Sequence, residues 1–113
     1  MEGYKIVELN RDLVDDVFLI EKTFFGLADS SSILKTLTSE HLKYFVLLSN
    51  KKVIGFYECS VLLDEAELFD IAIHSDFQGK DLSKYLMEHF ICIHFQKNSS
   101  NIFLSAITNK MFH

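Results

Sequence analysis

The stretch "AELFDIAIHSDFQGKDLSKYLMEHFI", residues 66–91, decides the fold. Its opening segment, 66–74, is nearly all apolar, the pattern of a central strand covered on both faces. Its closing segment places Leu82, Tyr85, Leu86, His89, Phe90 and Ile93 at offsets of 0, 3, 4, 7, 8 and 11, one continuous helical stripe. Between the two lies a turn holding a single glycine, Gly79, followed by Lys80, Asp81, Leu82 and Ser83. A strand that feeds a helix through a tight turn makes an anion-binding corner. Backbone N–H groups point outward there, and the helix dipole adds partial positive charge. Any strand-to-helix turn supplies that much, so the side chains must say more.

Upstream, "YKIVEL" (4–9) reads as an opening strand. From Arg11 the pattern turns helical, with Leu13, Val17, Ile20 and Phe24 on one face. Asn10 is the expected cap, Asp12, Asp15 and Asp16 suit the positive helix end, and Gly26 closes the helix. "DSSSILKTL" (29–37) starts a shorter helix, capped by one of Ser30–Ser32. "KYFVLLSNKKVIGFYECSVLL" (43–63) is a hairpin whose turn is Asn50–Lys51. After the 82–93 helix, "QKNSSN" breaks the pattern and "IFLSAI" (102–107) is a last strand. The order β-α-α-β-β-β-α-β describes a mixed α/β domain, and no linker-like segment divides residues 1–113.

A chain of 113 residues with 49% apolar content and eleven Phe has ample material for a core. A net charge of −5 argues against nucleic acid or an anionic membrane as partner. No segment reaches the roughly 18–20 apolar residues of a membrane span, and the N-terminus lacks a signal-type apolar run. Cys59 and Cys92 have no metal-type spacing and read as reduced, buried thiols. The expectation is a cytoplasmic domain with no metal.

Residues 62–91 closely resemble the acetyl-CoA motif of the GNAT acetyltransferases, in particular the bacterial ribosomal-protein alanine N-acetyltransferases. The resemblance rests on Asp64-Glu65-Ala66, Leu68, Ile71-Ala72-Ile73, Asp76-Phe77-Gln78 and Leu86-Met87-Glu88-His89-Phe90-Ile91. It implies a central mixed, mostly antiparallel sheet flanked by helices. It also implies that the backbone of Ile71, Ala72 and Ile73 pairs with the pantetheine arm of acetyl-CoA. One N–H of that strand would polarise the thioester carbonyl. The pyrophosphate would lie on Gln78, Gly79, Lys80, Asp81, Leu82 and Ser83. The implied reaction is acetyl transfer to an amine, with a protein or peptide N-terminus as acceptor.

The chain departs from the family's Q-x-x-G-x-G turn at both later glycines, which are Asp81 and Ser83 here. Ser83 is small and its hydroxyl can donate to phosphate. Asp81 crowds and repels a pyrophosphate, and it also suits a helix N-cap. Where the family carries a base glutamate and an arginine on the next strand, this chain has Leu104 and Ala106, aligned on Asn109. It ends at His113, ahead of the family's acid tyrosine, so the fold is expected to lack the last helix and strands. Glu58, Asp70 and His74 are the substitute catalytic candidates; His89 reads as a core histidine. Ala28-Asp29-Ser30 replaces the family's P-W-S segment, which argues against the ribosomal-protein substrate. The open edge of the last strand would favour a homodimer. Two functions compete: an acetyl-CoA-dependent N-acetyltransferase, and a catalytically impaired remnant acting as a binding or structural protein.

Overall fold

The computed structural model describes residues 3–26, 29–63, 65–96 and 101–103. The sequence expectations for Asp64, Ala28, Leu104, Ala106, Asn109 and the 104–107 part of the last strand lie outside those residues. Five strands form one sheet in chain order: β1 Tyr4–Glu8, β2 Leu42–Ser49, β3 Lys52–Leu62, β4 Glu65–Ile73 and β5 Asn101–Phe103. The first four are antiparallel neighbours, and β5 joins β4 in parallel. The sheet is therefore mixed and mostly antiparallel, as expected.

The β2–β3 hairpin turns where the sequence placed it. Asn50 and Lys51 both take left-handed backbones, with φ of 50° and 69°. A two-residue turn of that hand matches the twist of its flanking strands. Within β3, Gly55 sits where a Cβ would lie 2.8 Å from the Ala72 carbonyl oxygen and 2.8 Å from Ile73 Cδ1. Only glycine lets β4 approach that closely.

Helix α1 (Val14–Phe25) and the short α2 (Ser31–Thr36) cover one face of the sheet, and α3 (Leu82–Gln96) covers the other. Val17, Ile20, Ile33, Val46, Phe56 and Ala72 pack under α1 and α2. Ile54, Tyr57, Leu68, Ile71, Ile73, Leu82, Leu86 and Phe90 pack under α3. Alternate residues of β4 thus feed opposite cores, which explains why its sequence is apolar almost throughout. Each such fully buried side chain contributes about 1.5–3 kcal/mol relative to exposure.

Three local expectations change. Asn10 does not cap α1: residues Arg11–Leu13 form a 3-10 turn first, Leu13 stands at the N-cap, and the Asn10 side chain makes no capping bond. Ser30 occupies the N-cap position of α2, but the bond there comes from Asp29, whose Oδ1 accepts the Ser31 N–H at 2.9 Å. The Ser31 side chain, first, and this backbone N–H hold the Asp29 carboxyl below its usual range. Of the cysteines, Cys59 is buried as expected but Cys92 is exposed on α3, because position 92 falls off the apolar stripe. Gly26 does close α1, in the left-handed conformation at φ 71°. No helix among the described residues is long and apolar enough to cross a membrane.

Candidate active site

Two features of β4 shape the site. The first is a bulge. Glu58 pairs with Asp70 and Cys59 with Leu68, so Phe69 is the extra residue in the ladder. The second is its far edge. Among the described residues, parallel pairing with β5 covers Glu65, Ala66 and Glu67, and β4 itself runs on to Ile73.

The strand then leads into the anion corner. His74 ends it, and its backbone N–H donates to the Ile54 carbonyl at 2.7 Å. A 3-10 turn, Ser75–Phe77, follows, with the His74 Nδ1 accepting the Asp76 N–H at 3.1 Å. Gln78 Nε2 donates to the Ile73 carbonyl at 3.1 Å, tying the turn to the strand end. Gly79 is left-handed at φ 82°, with open space where a Cβ would point. Asp81 is left-handed as well, at φ 60°, and its carbonyl accepts the Tyr85 N–H at 3.1 Å, the first bond of α3. Asp81 therefore holds the N-cap position by its backbone. A capping side chain, however, springs from extended backbone. Here the residue adopts the conformation a glycine would take, which Asp tolerates better than most residues. Among the described residues, no hydrogen bond or ion pair is seen for its exposed carboxylate. The corner keeps the shape of an anion cradle, with a carboxylate at its rim. Lys80 lies beside it, its Nζ 6.0 Å from the Phe77 ring.

On the α1 side of the sheet, the bulge gathers carboxylates. Glu58 and Asp70 face each other across β3 and β4, and Glu21 comes down from α1. An oxygen of each lies within 4.8 Å of the others. Glu21 is only 4% exposed, and the Tyr44 hydroxyl from β2 donates to its carboxylate, 2.7 Å and 3.0 Å from the two oxygens. Burial first, then the Glu21 and Asp70 charges, push the Glu58 carboxyl up to about 7. Burial first, then the nearby Glu58 charge, drives the Tyr44 hydroxyl far up, so it stays a hydrogen-bond donor. Carboxyl groups this close can share a proton.

The sequence candidates therefore separate. Glu58 and Asp70 come together at the bulge. His74 sits about 13 Å further along the strand, four residues on, in the turn. His89 is a core histidine, its Nδ1 2.8 Å from the Tyr57 hydroxyl, and burial lowers its pKa. Glu21 and Tyr44 were not singled out in the sequence. Glu21 reads there as one more acidic position on an amphipathic helix, and its only signal is that it falls between Val17 and Phe24 on the buried side. A cavity of about 410 Å³ flanks the site between α1 and the strand ends, with Leu19, Ile20, Phe24, Lys52 and His74 in its wall.

A family model described as acetyltransferase (GNAT) family matches residues 10–111. The chain belongs to that family. Among curated proteins it is 37% identical over 71 residues to the [ribosomal protein bS18]-alanine N-acetyltransferase of Salmonella typhimurium, covering 63% of this chain and 41% of that protein. The Escherichia coli K12 enzyme of the same name is 45% identical over 47 residues, covering 42% of this chain and 32% of that protein. This chain thus spans between a third and two fifths of the length of these curated relatives. The crystal structure of the ribosomal-protein-S18-alanine N-acetyltransferase from Escherichia coli superposes with a TM-score of 0.79 at 26% identity, covering 89% of this chain and 65% of that one. An aminoglycoside N-acetyltransferase in complex with CoA superposes with a TM-score of 0.77 at 15% identity, covering 89% of this chain and 75% of that one, and supports the fold alone.

Proposed function

We propose that residues 1–113 act as one acetyltransferase domain that moves an acetyl group from acetyl-CoA to an amine. The carrying observation is the end of β4, where Ile71, Ala72 and Ile73 lead through a turn with left-handed Gly79 and Asp81 to the N-terminus of α3. Acetyl-CoA supplies the acyl group as a thioester. The backbone of Ile71, Ala72 and Ile73 is placed to pair with the pantetheine arm. Gln78, Gly79, Lys80, Asp81, Leu82 and Ser83 surround the position of the pyrophosphate. The open space above Gly79 fits that group; the Asp81 carboxylate opposes it and weakens binding.

The acceptor must lose a proton before it attacks. Glu58 is the residue for that step, with a half-buried carboxyl pushed up to about 7. Asp70 shares its proton, and His74 serves the turn. An α-amine, ordinarily near 7.7–8.0, is closely matched to such a base, whereas a lysine amine near 10.4 is not. A protein N-terminus is therefore the favoured acceptor, in line with the names of the relatives. Calorimetric titration with acetyl-CoA tests the assignment. Saturable binding at a one-to-one ratio is expected, in the micromolar range or weaker; no heat with this chain or with Asp81→Gly overturns it.

A second reading, an impaired family member that acts through contacts alone, is favoured by one observation: the carboxylate of Asp81 at the rim of the cradle. Binding of acetyl-CoA without acetyl transfer at any pH is its expected signature. The β5 edge carries the accompanying proposal of a homodimer. Sedimentation equilibrium at micromolar concentration checks it, and a clean monomer removes it.

A further inference from the structure

Glu21 and Tyr44 are buried behind Glu58, on α1 and β2. Glu21 is a carboxylate in the protein interior, which is a costly thing to bury unless it is held. It is held by Tyr44, which is itself almost fully buried and packed on Phe56 with ring centroids 5.5 Å apart. An apolar pair of similar volume would serve the core better if packing were the only demand. We propose that the buried Tyr44–Glu21 pair is a positioning device for Glu58, a fixed charge set behind it that determines when Glu58 holds a proton. The proposal rests on Glu58 being the base, and adds what tunes it.

The groups facing Glu58 come from each element packed around it: Glu21 from α1, Tyr44 from β2 and Asp70 from β4. Tyr44 has one hydrogen to give. Directed at Glu21, it favours the charged form of that carboxyl. Like charges so close do not ionise together easily, so the proton taken up by the cluster resides on the Glu58 side. In the reaction, Glu58 as carboxylate removes one proton from the acceptor ammonium. The amine lone pair then forms the C–N bond to the acetyl carbon while the C–S bond breaks, and the second proton leaves with the thiolate. Glu58 returns its proton to solvent, which closes the balance with no redox change. The pair behind it never touches the substrate.

Removing the charge at Glu21 therefore lowers the pH at which Glu58 titrates, whereas removing the Tyr44 hydroxyl also removes a hydrogen bond that by itself lowers Glu58. The test is a carbon-detected NMR titration of labelled protein without acetyl-CoA. It uses the parent, Glu21→Gln and Tyr44→Phe, and the Glu58 resonance is assigned by its loss in Glu58→Gln. Both replacements keep side-chain volume, and thermal melts confirm that each variant is folded. The expected result is a Glu58 midpoint lowered by about one unit or more in Glu21→Gln, and lowered less in Tyr44→Phe, where loss of the Tyr44 bond to Glu58 opposes the change. A Glu58 midpoint unchanged in folded Glu21→Gln overturns the proposal. The pH–rate profile for an alanine-initial peptide then separates the two claims. If the NMR midpoint moves and the rate profile does not follow it, the pair tunes Glu58 but Glu58 is not the base.

Discussion

Glu58→Gln is expected to abolish most of the acetyl transfer while making the protein more stable at pH 8. The first effect follows from the role of the carboxylate: a positioned base contributes about 10²–10⁴-fold, and a glutamine amide accepts no proton. The second follows from linkage. The Glu58 carboxyl is raised in the folded state to about 7, from an ordinary value of 4.5. Between those values the folded chain binds more protons than the unfolded chain, so stability falls as pH rises through the window. Above about 7 both states are ionised and the full penalty is present. The unscreened shift would correspond to about 3 kcal/mol, but the side chain is only part-buried, which reduces it to about 1–2 kcal/mol. Glutamine never carries the charge, so the variant should melt higher by about 5 °C at pH 8 and equal the parent near pH 4.5. Circular-dichroism melts across that range check this, beside initial rates with acetyl-CoA and an alanine-initial peptide. An unchanged melting point at pH 8 would show that Glu58 carries no such strain. An unchanged rate would place the base elsewhere.

The same residue shows how far the sequence could be read. The strand–turn–helix unit was legible because its apolar periods are strong and its elements are adjacent in the chain. The Asn50–Lys51 turn was legible because its backbone demands are local. The mixed, mostly antiparallel sheet implied by the family resemblance stands as found, with its strands in chain order. Glu58 and Asp70 were visible as carboxylates within apolar strands, but the reason they matter was not. Their partner Glu21 is 37 residues before Glu58 and reaches it only through the packing of α1 on the sheet. The Phe69 bulge brings Asp70 opposite Glu58, and no residue type announces it. The capping errors have one cause. Asn10 and Ser30 are of the right type, yet a 3-10 turn intervenes at the first helix and Asp29 is better placed at the second. Residue type proposes a cap; backbone geometry one residue either way decides it.

Asp81→Gly is expected to tighten acetyl-CoA binding about tenfold or more and to stabilise the fold slightly. Position 81 has a φ of 60°, so the backbone already follows the path a glycine would take and need not rearrange. Glycine removes the left-handed strain, worth about 1 kcal/mol or less for an aspartate. It also removes a charge at the rim of the cradle. A carboxylate 4–6 Å from a phosphate repels it by about 3–4 kcal/mol at an effective dielectric near 20, and exposure with side-chain freedom leaves about 1–2 kcal/mol. That residue of repulsion is the tenfold in affinity. Asp81→Asn divides the two contributions, because asparagine tolerates the same backbone and carries no charge. If charge dominates, Asn recovers most of the gain and the parent-to-variant ratio shrinks as salt rises, since screening relieves only the parent. If crowding dominates, Gly gains and Asn does not, at any salt. Equal affinity in all three proteins would mean that the carboxylate turns away from the bound pyrophosphate. The turn would then be a working cradle whose missing glycine matters only to the backbone, and the case for an impaired enzyme would lose its one structural support.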